Sequence, residues 1–367
     1  MTRSLLRIAI KGVLLFATLN LLLVYVDPMP LLSRVTIYNN FVAGRARLPF
    51  GENPSRAYNL SLNDLDAMFA SHQIALPKAS DEYRVILIGD SSTWGFLLKP
   101  EETLAGYLDS AQLRREGKRV RVFNLGYPDF SVTKDLILLK RAMQFKPDKI
   151  IWLVTLRSFP LSTQSEHALV KNNHTDYCEV IHAAGDQFRC ELPSANSFAE
   201  KFETRNLFAR RREFADWFRL QLYGVLWAAT GIDQEYPAKY EPAQRDLDRD
   251  VSFREFQPPT LQPDDLFLDS LSAAKKIAGV VPLVIVNEPM LVSVGVNSDI
   301  RYNFFYPRWA YDQYRGMIRD ETLKTNLRYV DLWNLVPQNE FTNSAVHLNS
   351  KGSKQLADEL AAIIVSD

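Results

Sequence analysis

Short apolar runs alternate with amphipathic stretches through most of this chain. Val85, Ile86, Leu87 and Ile88 form an unbroken run that stops at Gly89, the pattern of a parallel strand buried on both faces. RVRVFNL (119–125) alternates and closes on Gly126, KIIWLVTL (149–156) is again apolar, and VVPLVIV (280–286) and YVDLW (329–333) complete five expected strands. Helical stripes lie between them. Leu104, Tyr107 and Leu108 follow the start signal Pro100-Glu101-Glu102; Leu136, Leu139 and Met143 follow the caps Ser131 and Thr133; Leu356, Leu360, Ile363 and Ile364 mark a last helix. Such alternation predicts an α/β fold, a three-layer α/β/α sandwich around a mostly parallel five-stranded sheet with right-handed crossovers.

Two segments break the rhythm. GVLLFATLNLLLVYV (12–26) is apolar apart from Thr18 and Asn20, and carried back to Leu5 it is long enough to cross a bilayer. Arg3, Arg7 and Lys11 precede or enter it and Asp27 follows, which places the amino terminus in the cytoplasm and the remainder outside. No small-x-small cleavage site precedes Asp27-Pro28, so residues 1–27 read as a cytoplasmic tail and uncleaved signal anchor. Residues 28–82 form a lead-in with one short helix expected at 62–70, and 83–367 hold the sheet. The second break, at about 158–270, is too long for a loop. It carries an expected helix at 202–227 whose stripe, Leu207, Phe214, Trp217, Phe218, Leu222 and Val225, lies beside Arg210, Arg211 and Arg212. That stripe suits packing on the main domain, or contact with lipid or a membrane partner. A proline-rich, charged stretch at 236–263 then reads as an extended return.

Charge narrows the function little: 43 basic residues balance 43 acidic ones, with no basic patch to suggest nucleic acid. Five scattered histidines without an HExxH spacing give no expectation of a metal, and nothing in the chain calls for a cofactor. In an oxidising compartment Cys178 and Cys190 are either a loop-pinning disulfide or two separate thiols.

The chemistry begins where the first strand ends. Asp90, Ser91 and Ser92 occupy the carboxyl end of a strand, the edge at which open α/β sheets bind ligands. A nucleophilic serine and a capped strand-to-helix turn both fit these residues. His347, in SAVHLNSKGSKQLA between the last strand and last helix, can return to the same edge as a base. Asn287-Glu288-Pro289 ends another strand, and Tyr302, Phe304, Phe305, Tyr306 and Trp309 follow, suited to core packing or to a wall for an acyl chain or sugar ring.

Gly89-Asp90-Ser91-Ser92 at one end and His347-Leu348 ahead of Gly352 and an amphipathic helix at the other resemble the first and last blocks of the GDSL-like, or SGNH, hydrolase superfamily. The resemblance implies a flavodoxin-like sheet, Ser91 as nucleophile, His347 as base, and the N–H groups of Ser91 and Gly126 as oxyanion donors. Two positions depart from it. Where the family has an asparagine after the third strand, this chain has Thr155-Leu156-Arg157-Ser158, so that Arg157 would donate to the oxyanion, bind an anionic substrate or pair with a carboxylate. Where the family has an aspartate three residues before the histidine, this chain has Ser344; Asn343, Ser344, Glu340, Asp331 and Glu288 are the candidates for orienting His347. The implied activity is an extracytoplasmic serine esterase acting on acyl esters of envelope glycans or lipids. An O-acyltransferase or acetyltransferase beside a membrane-bound acyltransferase partner, and a non-catalytic glycan-binding or scaffold protein, are the alternatives.

Overall fold

A computed structural model describes residues 2–32, 44–50, 65–185, 190, 198–230 and 239–366. Its sheet has six strands: β1 (Glu82–Ile88), β2 (Arg114–Arg115), β3 (Lys118–Asn124), β4 (Lys149–Val154), β5 (Leu283–Asn287) and β6 (Arg328–Asp331), in the order β2-β3-β1-β4-β5-β6. The five parallel strands are those expected from the sequence, and their order is that of flavodoxin-like sheets. The sixth, β2, is a two-residue antiparallel edge paired with β3. It is too short to leave a hydrophobic pattern.

The layers follow from the pleat. Ile86, Ile88, Phe123, Ile150, Trp152 and Ile285 point to one face, under the helices Val132–Ala142, Asp269–Ala278 and Arg308–Lys324. Val85, Leu87, Val122, Ile151, Leu153 and Val286 point to the other, under Leu104–Ser110 and Ser350–Val365. Every residue of β1 and β4 is buried, so both faces of the central strands need cover and a three-layer sandwich results.

The insertion differs from expectation. The single helix expected at 202–227 is two, Phe198–Arg205 and Arg211–Thr230. Asn206 breaks it: its side-chain oxygen accepts from the Ala209 N–H at 2.9 Å, a local turn that competes with helix. The second helix does not bury its stripe on the main domain. Trp217 donates to the Leu32 carbonyl at 2.6 Å, while Phe218 and Leu222 stay 59% and 58% exposed; the Val225 side chain lies outside the described residues. The turn between these helices meets the amino-terminal helix Thr2–Tyr25 and the residues after it instead, through Phe16 on Phe208 (5.7 Å between ring centres), Asn20 accepting from the Leu207 N–H (3.0 Å), and an ion pair between Asp27 and Arg210. Cys178 and Cys190 form a disulfide. The early part of the expected 62–70 helix falls outside the described residues, and the helix itself is Leu65–Ser71.

Candidate active site

The turn after β1 is built for close approach. A Cβ on Gly89 would lie 2.3 Å from Thr93 Oγ1 and 3.0 Å from the Leu153 carbonyl, so only glycine lets the chain turn here. Asp90 then caps the one-turn helix Ser91–Trp94, accepting from the Ser92 N–H at 2.7 Å. The capped turn and the candidate nucleophile are therefore the same structure. Ser91 is the first helical residue, and no acceptor among the described residues bonds its backbone N–H.

His347 reaches Ser91 from the opposite end of the chain. Its Nε2 lies 2.7 Å from Ser91 Oγ and its Nδ1 lies 2.8 Å from Asn343 Oδ1. An amide oxygen only accepts, so Nδ1 carries the proton and Nε2 presents a lone pair to the serine hydroxyl. The loop holding the imidazole is fastened at several points. Thr342 N–H donates to the His347 carbonyl (2.8 Å), and Asn349 N–H donates to that of Glu340 (2.8 Å). The Glu340 carboxylate accepts from Asn349 (2.8 Å) and Lys351 (2.7 Å). Phe96 stacks on the imidazole at 4.8 Å. This burial lowers the His347 pKa to about 4, because charging the ring would cost solvation that its neutral partners do not replace. The acidic limb of kcat/KM is therefore expected near pH 4, well below the ordinary imidazole value; a limb near 6.5 on a neutral ester would refute this environment.

Of the five candidates for orienting His347, only Asn343 touches it. With both ring nitrogens engaged, Ser344 has no place on the imidazole. Glu340 braces the loop, and Asp331 pairs with Arg315 (2.7 Å) and accepts from Asn287 (2.8 Å). Glu288, fully buried, faces Asp90 and Ser92 behind the nucleophile. Burial and the neighbouring carboxyl raise Glu288 well above its ordinary pKa, and burial raises Asp90 to about 6. The folded pair keeps protons that the unfolded chain has already released, so stability falls as pH rises from about 4 through the Asp90 value and beyond. Glu288→Gln is expected to flatten this dependence and to raise Tm at pH 8 by about 3 °C; an unchanged pH–Tm curve would contradict the raised Glu288 pKa.

Gly126 corrects one expectation. Its N–H donates to Asn124 Oδ1 at 3.0 Å and so is not offered to an oxyanion. What the glycine supplies is room: a Cβ there would sit 2.5 Å from Trp94 N and 2.8 Å from the Thr93 carbonyl carbon, so the turn after β3 can lie against the serine helix.

Three residues with no role assigned from sequence hold the site together. Lys134, completely buried and paired with Asp135 at 3.0 Å, donates to the carbonyls of Gly89 (3.1 Å), Tyr127 and Asp129 (3.0 Å), tying the ends of β1 and β3. Arg47, from the lead-in, donates to the carbonyls of Gly95 (2.8 Å) and Leu98 (2.9 Å) and lies over Trp94. Phe96 is the third. Lys134 sits on the buried stripe of a helix and Arg47 in an irregular segment, so neither leaves a periodic signal; Phe96, five residues past Ser91, could have been suspected from proximity alone. Arg157 lies half-buried at the same edge, beyond Phe130 and Phe305.

No protein-family model and no curated protein matches this chain. Among solved structures, it is similar to a member of the lipolytic protein G-D-S-L family from Veillonella parvula (12% identity, 77% of this chain and 97% of that one, TM-score 0.34). It is similar also to a carbohydrate acetylesterase from Sinorhizobium meliloti (11%, 77% and 97%, 0.35) and to an aryl esterase from M. smegmatis (12%, 77% and 97%, 0.35). At this degree of superposition the likeness assigns neither activity nor substrate.

Proposed function

We propose that this chain is a serine esterase held at a membrane by its amino-terminal helix, with Ser91, His347 and Asn343 as its catalytic relay. The observation that carries the reading is the unbroken line Ser91 Oγ–His347 Nε2, His347 Nδ1–Asn343 Oδ1, both contacts under 3 Å. Ser91 Oγ attacks the ester carbonyl as its proton passes to Nε2, and the oxyanion forms beside the unpaired Ser91 N–H. The imidazolium then protonates the departing alkoxide, leaving an acyl-serine. Water attacks that acyl group with Nε2 again taking the proton, and the acid leaves as Ser91 regains its hydrogen. Asn343 keeps the productive tautomer through both halves.

The helix Ser4–Tyr25 supports the anchor: its most apolar 18-residue window has a mean hydropathy of 2.0, and its 22 residues would extend about 33 Å. The disulfide favours an extracytoplasmic body. The test is acid release from 4-nitrophenyl acetate by the full-length protein in neutral detergent, with and without a sugar acceptor. Turnover in water supports the esterase. Turnover only with acceptor present would favour the acyltransferase, and none in either case, with no labelling of Ser91, would favour a glycan-binding or scaffold role.

A further inference from the structure

Arg157 is a half-buried cation without a counter-ion among the described residues. Its guanidinium carbon lies 4.1 Å from the centre of the Phe305 ring and 5.1 Å from that of Phe130, and its Nε meets no acceptor. Burial lowers its basicity, Arg254 adds to that effect, and Asp90 and Asp129 oppose it only through space. Rings on two sides fix the plane of the guanidinium and strip its water, but they cannot replace the lost hydrogen bonds. Such an arrangement leaves the cation short of a partner among the described residues, a place that an anion from outside the chain can fill.

The space beside it fits that partner. A pocket of about 490 Å³ is lined by Arg157, Phe304 and Phe305 together with Arg254 and Arg301. Two carboxylates also line it, and both are engaged. Asp250 accepts from Ser252 N–H (2.8 Å) and Oγ–H (2.6 Å), while Glu255 accepts from Ser162 (2.5 Å) and Arg254 (3.4 Å). Arg301 is turned to backbone carbonyls, including those of Ser252, Asn303 and Phe304. Three cations against two occupied acids leave the pocket net positive, with Arg157 presenting the free donors.

We propose that Arg157 binds a carboxylate of the substrate in this pocket, so that the ester brought to Ser91 belongs to a molecule that also carries an acid group. The position of that ester rests on the esterase reading; the binding itself does not. The carboxylate belongs either to a sugar acid bearing the acyl group or to the far end of a dicarboxylic acyl chain, and one experiment separates them. Full-length Ser91→Ala protein in neutral detergent is titrated calorimetrically with trigalacturonate, with methyl hydrogen succinate and, as neutral controls, with maltotriose and methyl butyrate. One of the two anions should bind at least tenfold more tightly than its control, lose about 10–100-fold when Arg157→Met is added, and recover in part with Arg157→Lys. Tight trigalacturonate assigns the sugar, and tight succinate half-ester the acyl chain. Equal binding of anions and controls, or anion affinity unmoved by Arg157→Met in protein with an unaltered circular dichroism spectrum, overturns the proposal. On active protein, a fall in kcat/KM by the same factor for neutral and anionic esters would place Arg157 at the oxyanion instead and likewise overturn it. Absence of all turnover with anion binding intact would defeat only the esterase reading.

Discussion

Ser91→Ala is expected to abolish covalent labelling by a serine-directed phosphonate and to lower ester turnover by about 10⁴–10⁶-fold, since members of a nucleophile–base unit fail together. His347→Ala should match it, because Nε2, 2.7 Å from Oγ, is the only base the structure brings to that hydroxyl among the described residues. The informative comparison is the double variant. If Ser91 and His347 act as one unit, removing both costs no more than removing either, and additive losses would show that the serine is activated by another group. Labelling that survives Ser91→Ala would displace the nucleophile altogether.

Asn343 carries the second large effect. In a relay with aspartate, replacing the carboxylate by an amide loses about 10⁴ in kcat largely because the wrong histidine tautomer is stabilised. Here the amide oxygen faces Nδ1, so the tautomer is right and only the charge is missing. Asn343→Ala removes the orienting acceptor and should lower kcat by about 10²–10³ with KM nearly constant. Asn343→Asp supplies the missing charge 2.8 Å from the ring, so the imidazolium is stabilised and the acidic limb of kcat/KM should move up from about pH 4 by at least one unit. A limb that does not move, with activity retained, would mean that residue 343 does not face the imidazole in solution.

The sheet was legible because buried parallel strands write continuous apolar runs, and all five of those runs are strands. The meeting of Ser91 and His347 was legible too, since one follows the first strand and the other lies just ahead of the last helix, and the two lie 2.7 Å apart. The middle was not. Asn343 could not be told from Ser344, Glu340, Asp331 or Glu288, because which side chain meets Nδ1 depends on how the 340–349 loop closes on itself, a matter of Thr342 and Asn349 backbone bonds. Gly126 misled for a related reason: a glycine after a strand marks a tight approach but does not say where its N–H points. The insertion stripe at Phe218 and Leu222 followed a helical period whose usual meaning is burial, yet the period says nothing about what lies opposite.

The grip of the insertion on the amino-terminal helix changes what a truncation has to remove. Phe16 on Phe208, Asn20 on Leu207 and Asp27 on Arg210 make one unit of segments that are far apart in the chain. Cutting the chain after Asp27 would leave Phe208 and Leu207 without their partners, so a fragment that lacks the amino-terminal helix is expected to stay in solution only when the inserted helices are deleted with it.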